Sequence, residues 1–248
     1  MFNRKFNDAV RLRVINIQSA EARAAKLNAP SSVAPIYAPD DVVAFVDLQN
    51  LHYFLKENCR VSATQVHIPN LINDFSRAHD LPLRELRIFT GIHDRRREPQ
   101  RHDAMALRVK WLERCGAIVT TLPLSYYLQK GTGEMRVQEK GIDVRIGSEI
   151  LRAVNSGLRR AVVITQDKDI SQAIRVAAEM ASERGFEFKA YSMTLEGAEW
   201  EHSGKCGMYG VAFTEKLSID VNFVQGYVRT EAERPSSGTF ANTSITQA

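Results

Sequence analysis

What most constrains this chain is a repeated order: a strand-length apolar run, a helical run, then a glycine. "VVAFVDL" (42–48) is continuously apolar up to its acid, and "IPNLINDFSRAHD" then carries apolar residues at helical spacing after Pro69. "LRIFTG" (86–91) reads as a second strand, and "QRHDAMALRVKWLERCG" as a helix ending at Gly116. "AIVTTLPL" is a third strand, followed by the helix "IDVRIGSEILRAVNSG", which ends at Gly157. "AVVITQ" is a fourth, followed by "ISQAIRVAAEMASERG", which ends at Gly185, and "FEFKAYSM" is a fifth. Strands alternating with helices, each later helix closed by glycine, predict parallel βαβ units. The expected fold is α/β, an open parallel sheet of about five strands with helices on both faces. One stretch breaks the rhythm. In "YYLQKGTGEMRVQEKG" two alternating arms flank a Lys130-Gly-Thr-Gly turn, which predicts a hairpin or flap.

The ends have a different character. Residues 1–39 read as an extension, an Ala/Arg-rich helical segment followed by the Pro/Ser linker "NAPSSVAPIYAPD". Residues 40–228 form the expected domain, and residues 229–248, chiefly "TEAERPSSGTFANTSITQA", have the composition of a disordered tail. A chain of 248 residues, 44% apolar and 25% charged, suits one globular domain with appendages. Cys59, Cys115 and Cys206 show no CxxC spacing, which argues for a reducing compartment and against a disulfide framework. "HSGKC" (202–206) offers two zinc ligands but lacks a second pair, so no zinc site is expected. No membrane-length apolar run and no signal peptide is visible, and the expected location is cytoplasmic. A homo-oligomer is left open.

The chemistry-bearing residues are acids. In open parallel sheets ligands sit beyond the carboxyl ends of the strands. Asp47 ends the first strand, with Asn50 just past it; Asp167 follows the fourth, and Asp169 stands at the next helix entrance. Asp143 falls in the first turn of the helix opened by "EKGIDV". All four can therefore gather on one rim. Taken singly, Asp169 is best read as a helix N-cap and Asp143 as a complement to the helix dipole. Asp47 has no such job unless a turn or a ligand uses it. Clustered carboxylates repel unless protonated or bridged by a cation, and hard oxygen donors without His or Cys favour Mg²⁺ or Mn²⁺. A basic run lies nearby: Arg95, Arg96, Arg97, Arg101, Arg108, Lys110 and Arg114. It is either a solvated helix face or a phosphate-contacting surface, and the formal net charge of +4 does not choose.

"FVDLQNL", "FTGIHDRRREPQRHDAMALRVKWLERCGAIVTTLPLSYY", "EKGIDVRIGSEIL" and "VVITQDKDIS" occur in an order that resembles the NYN (LabA-like) domains of the PIN-like nuclease superfamily. The resemblance spans about residues 42 to 192. It implies a Rossmann-like, PIN-like sheet and metal-dependent RNA cleavage. It also implies a metal site, the catalytic centre, built from Asp47 with Asn50, Asp143, Asp167 and Asp169. Where the family has Ser-Gly before its acidic pair this chain has Thr165-Gln166, and Ile170 replaces the Phe after it. Thr165 keeps a hydroxyl for a phosphate or carboxylate contact. Glu149, six residues beyond Asp143 and so about 120° off its helix face, is left out of the ligand set.

The expected activity is hydrolysis of phosphodiester bonds in single-stranded RNA. Asp47, Asp143, Asp167 and Asp169 would hold Mg²⁺ or Mn²⁺, and Asn50 would orient Asp47 or a phosphate. Lys140 and the Arg95, Arg96, Arg97 and Arg101 cluster would hold the backbone. Tyr126 and Tyr127 are expected to pack rather than stack on bases. A non-catalytic RNA-binding or scaffold module is the alternative reading. A phosphomonoesterase ranks last, because its DxD belongs on the first strand and the one here follows the fourth.

Overall fold

The computed structural model describes residues 36–196 and 213–229. The expected N-terminal helical segment and linker start, the zinc-like "HSGKC" and the tail beyond Arg229 lie outside those residues. The first strand, β1 (Val42–Asp47), is buried at every position. Its side chains alternate between two layers: Val42, Ala44 and Val46 enter one core, Val43 and Phe45 the other. A strand covered on both faces has no polar side, which is why the run is apolar throughout.

Around β1 lie β2 (Leu83–Ile92), β3 (Ile118–Pro123), β6 (Arg160–Ile164), β7 (Lys189–Leu195) and β8 (Glu215–Ile219), in the order β3-β2-β1-β6-β7-β8. Every neighbouring pair is parallel. The sheet thus has six strands rather than five, the extra one being the edge strand β8. Helices α1 (Leu48–Asn58), α2 (Ile68–Ala78) and α3 (Pro99–Arg114) cover one face. Helices α4 (Ile142–Asn155) and α5 (Ile170–Glu183) cover the other, and a short α6 (Val221–Gln225) follows β8. Gly116, Gly157 and Gly185 close α3, α4 and α5 with φ of 88°, 96° and 79°, the left-handed turn that a side chain resists. The anomalous stretch is a hairpin, β4 (Ser125–Leu128) paired antiparallel with β5 (Met135–Gln138). Among the described residues no helix is long and apolar enough to cross a membrane.

The strand order places the site. From β1 the chain moves outward to β2 and β3, then returns to β6 on β1's other side and moves outward again. The β1/β6 boundary is where the winding reverses. In open parallel sheets such a reversal, beyond the carboxyl ends of the strands, is where ligands bind.

Candidate functional site

The aspartates stand at that boundary. Asp47 ends β1 and is 5% exposed. It is the N-cap of α1: its Oδ1 accepts the Asn50 backbone N–H at 2.9 Å and its Oδ2 accepts Asn50 Nδ2 at 2.7 Å. Asn50 Nδ2 also donates to Thr165 Oγ1 at 3.1 Å. The same hydroxyl oxygen accepts the Asp167 N–H at 3.1 Å, and Asp167 Oδ1 accepts the Asp169 N–H at 2.9 Å. One chain of hydrogen bonds therefore ties the end of β1 to the loop after β6. Thr165 is 1% exposed and serves as its link rather than facing a substrate.

Capping falls to a different acid than expected. Asp169 occupies the N-cap position of α5 but makes no side-chain cap bond, and it is exposed. Asp47, which had no evident structural job in the sequence, is the residue that caps. Freed from that duty, Asp169 joins Asp143 and Asp167: one carboxylate oxygen from each lies within 4.8 Å of the other two. Asp143 reaches them from the first turn of α4, behind the left-handed Gly141.

Asp143, Asp167 and Asp169 are the residues that could hold a hard divalent cation. Around Mg²⁺ opposite oxygens lie about 4.2 Å apart and adjacent ones about 3 Å, so three oxygens within 4.8 Å would have to draw together to share one ion. The donor set is all carboxylate, matching Mg²⁺ or Mn²⁺ rather than zinc. Asp47 stands behind this trio, with both oxygens engaged by Asn50.

A fifth acid, unremarked in the sequence, is Glu139. It follows β5 at the return of the hairpin, and its Oε1 accepts the Gly91 N–H at 2.5 Å. A Cβ at Gly91 would lie 2.2 Å from Leu124 Cδ2 and 2.7 Å from Glu139 Oε1, so only glycine lets the hairpin stem close there. Burial raises Glu139 to about 7, with Asp47 adding to the rise and the Gly91 N–H opposing it. Burial likewise raises Asp47 to about 6 against the Asn50 and Gln49 hydrogen bonds, and Asp167 pushes slightly in the same direction. The signal for Glu139 was its position directly before Lys140, on the rim where helices start.

Glu149 points elsewhere. Arg87 and Arg145 each donate to it at 2.9 Å, and Arg152 lies at 3.4 Å. Lys140 is exposed just before α4. Past the ends of β2 and β3 opens a cleft of about 580 Å³ lined by His93, Arg95, Arg97, His102, Leu124 and Tyr126 among others. Tyr126 is built into it: its hydroxyl accepts the Asp94 N–H at 3.1 Å and shares a bond with His93 Nδ1 at 2.9 Å, while Arg97 lies over its ring at 4.9 Å. Burial, then Arg101, lowers the His93 pKa. Arg95 pairs with Asp103 at 3.3 Å and Arg101 with Glu98 at 3.4 Å, while Arg96 is exposed. Exposed pairs of this kind contribute little, so a phosphate can displace them. Leu124 lines the cleft and also packs beside Gly91 and Glu139.

No protein-family model matches this chain, and no curated protein matches it. Among solved structures, a protein of unknown function from Vibrio parahaemolyticus is similar at 15% identity with a TM-score of 0.41. The match covers 62% of this chain and 80% of that one.

Proposed function

We propose that this chain is a cytoplasmic, Mg²⁺- or Mn²⁺-dependent ribonuclease of the NYN, PIN-like type that hydrolyses phosphodiester bonds in single-stranded RNA. The observation that carries the reading is the convergence of Asp143, Asp167 and Asp169 at the point where the sheet's winding reverses. When bound, the ion would supply Lewis acidity, lowering the pKa of a coordinated water and offsetting charge on the phosphodiester. The three aspartates would hold it. Asp47 acts through Asn50 and Thr165, whose hydrogen bonds fix where Asp167 stands. Lys140 and the arginines of the cleft hold backbone phosphates and set the strand across the rim.

A second reading has its own support. Asp47 spends both oxygens on Asn50, as a purely structural cap would, which favours a non-catalytic RNA-binding module. Mixed RNA and DNA oligonucleotides with and without metal decide between them. Cleavage of RNA that needs Mg²⁺ or Mn²⁺ and is lost in Asp167→Ala is expected. Equal RNA binding in both proteins with cleavage in neither leaves the binding module. Full cleavage by purified Asp167→Ala sinks the mechanism.

A further inference from the structure

The hairpin of β4 and β5 is a two-stranded sheet of its own, apart from the six-stranded one. Its register sets Tyr126 opposite Val137 and Leu128 opposite Met135. Directly opposed residues share a face, as do residues two apart on one strand. One face therefore carries Tyr126 and Val137 near the stem, and Leu128 with Met135 toward the turn. Its stem end is fixed to the body: Tyr126 lines the cleft, held there by the Asp94 N–H and by His93. Its turn end lies open, with Leu128 64% exposed and Met135 54% exposed. The ladder continues past this pair, because the Gln129 N–H donates to the Glu134 carbonyl at 2.8 Å. The two apolar side chains are thus held next to each other in water.

An apolar pair gains nothing from standing exposed, and a polar pair would serve an idle hairpin end as well. What stands beside it on the same face narrows the occupant. Arg95 and Arg97 line the cleft with Tyr126, and Arg97 lies over that ring at 4.9 Å. Two residues of strand separate Tyr126 from Leu128, a span of about 6.8 Å. A ligand that reaches both must carry negative charge and an apolar face within that distance. A single-stranded polynucleotide does so, since its unstacked bases offer flat faces close to a charged backbone. A wholly apolar partner would leave the arginines unused.

We propose that Leu128 and Met135 form a platform on which an unpaired base of single-stranded RNA rests, with a neighbouring phosphate in the cleft at Arg95 and Arg97. The platform rests on the reading of this chain as one that binds single-stranded RNA, and adds to it a contact with the bases. Leucine and methionine offer no hydrogen bond to a base edge, so the contact does not select a sequence.

The test uses the full chain in EDTA, so that nothing is cleaved, with a single-stranded oligouridylate. Leu128→Ser with Met135→Ser should bind it about tenfold more weakly than wild type, with an unchanged salt slope because no phosphate contact is removed. Its Tm should stay within about 2 °C of wild type, since both side chains are mostly exposed. Leu128→Phe with Met135→Phe should bind several-fold more tightly, because aromatic faces stack better. An abasic strand of the same length and charge should bind all three proteins equally. Wild-type affinity in the Ser variant overturns the platform and leaves the RNA reading standing; no binding by wild type overturns both. A loss that is equal on the abasic strand also overturns it. So does a Ser variant that changes oligomeric state in light scattering while keeping its RNA affinity, which makes the pair a protein contact. If the Ser variant does not fold, the Phe variant decides: tighter oligouridylate binding with unchanged abasic binding supports the platform, and unchanged oligouridylate binding refutes it.

Discussion

Replacing Asp47 by Asn should stabilise the metal-free protein at alkaline pH and destabilise it at acid pH. The carboxyl moves from 3.8 in the unfolded chain to about 6 in the fold, chiefly because burial disfavours its charge. That displacement amounts to about 3 kcal/mol against the ionised folded form. Between about pH 4 and 6 the native state holds a proton that the unfolded chain has released. Stability therefore falls as pH rises through that window and stays lower above it. Asn removes the charge and still caps, because its carbonyl can accept the Asn50 N–H. Its NH₂ would oppose Asn50 Nδ2, which donates to Asp47 Oδ2 in the native protein. If Asn50 flips, the Thr165 hydroxyl can donate where it now accepts; a remaining misfit costs about 1 kcal/mol. The net gain at about pH 8 in EDTA is then about 2 kcal/mol, or about 4–8 °C in Tm. At about pH 4 only the misfit remains, so the order of the two proteins inverts. Thermal melts of wild type and Asp47→Asn across this range read the difference directly. A difference that does not vary with pH would refute the account of Asp47 as a buried carboxyl held near 6.

Asp169→Ala should cost less than about 0.5 kcal/mol of stability, because the side chain makes no cap bond, yet lower RNA cleavage at least about tenfold. At about pH 4, where the folded Asp47 carboxyl is protonated and no charge is relieved, Asp47→Ala should lose about 1 kcal/mol of capping, and urea melts separate the two variants. Gly91→Ala should destabilise by about 1–3 kcal/mol, since a methyl there collides with Leu124 and the Glu139 carboxylate; a Tm equal to wild type would show that the hairpin stem is not packed as described. The triple change Arg95→Ala, Arg96→Ala and Arg97→Ala should weaken RNA binding and flatten its salt dependence with little loss of stability, and an unaltered slope returns the run to a solvated surface.

The parallel layout was legible because burial on both faces leaves a plain mark. All six residues of β1 are buried, and a run of that length with no polar alternation has few other uses. Helix α1 left its mark too, in Leu48, Leu51, Phe54 and Leu55 at helical spacing, but the strand runs into it without a loop. With no turn residues between them, Leu48 reads as the strand's last member, and the cap at Asp47 goes unseen. The cap was expected at Asp169 because it stands at a helix entrance that the pattern does reveal and Asp is a preferred cap. β8 was hidden for the opposite reason: Glu215 and Lys216 on an edge strand discourage pairing with other chains and make the segment look like loop.

The acids separate along the same line. Asp47, Asp143, Asp167 and Asp169 lie at junctions that the βαβ alternation itself locates, so pattern alone brings them to one rim. Glu139 does not. What carries it to Asp47 is the hairpin's return across the end of β2, sealed by the Gly91 N–H and by Leu124 filling the space that a Cβ at Gly91 would need. The Gly91–Glu139 bond joins residues 48 apart, and no local periodicity encodes it. The raised pKa values of Glu139 and Asp47 come from that same enclosure: burial is the first cause for each, and Asp47 is next for Glu139. The strand ends determine where carboxylates collect. How strongly Glu139 resists charge depends on the hairpin stem that buries it against Gly91 and Leu124.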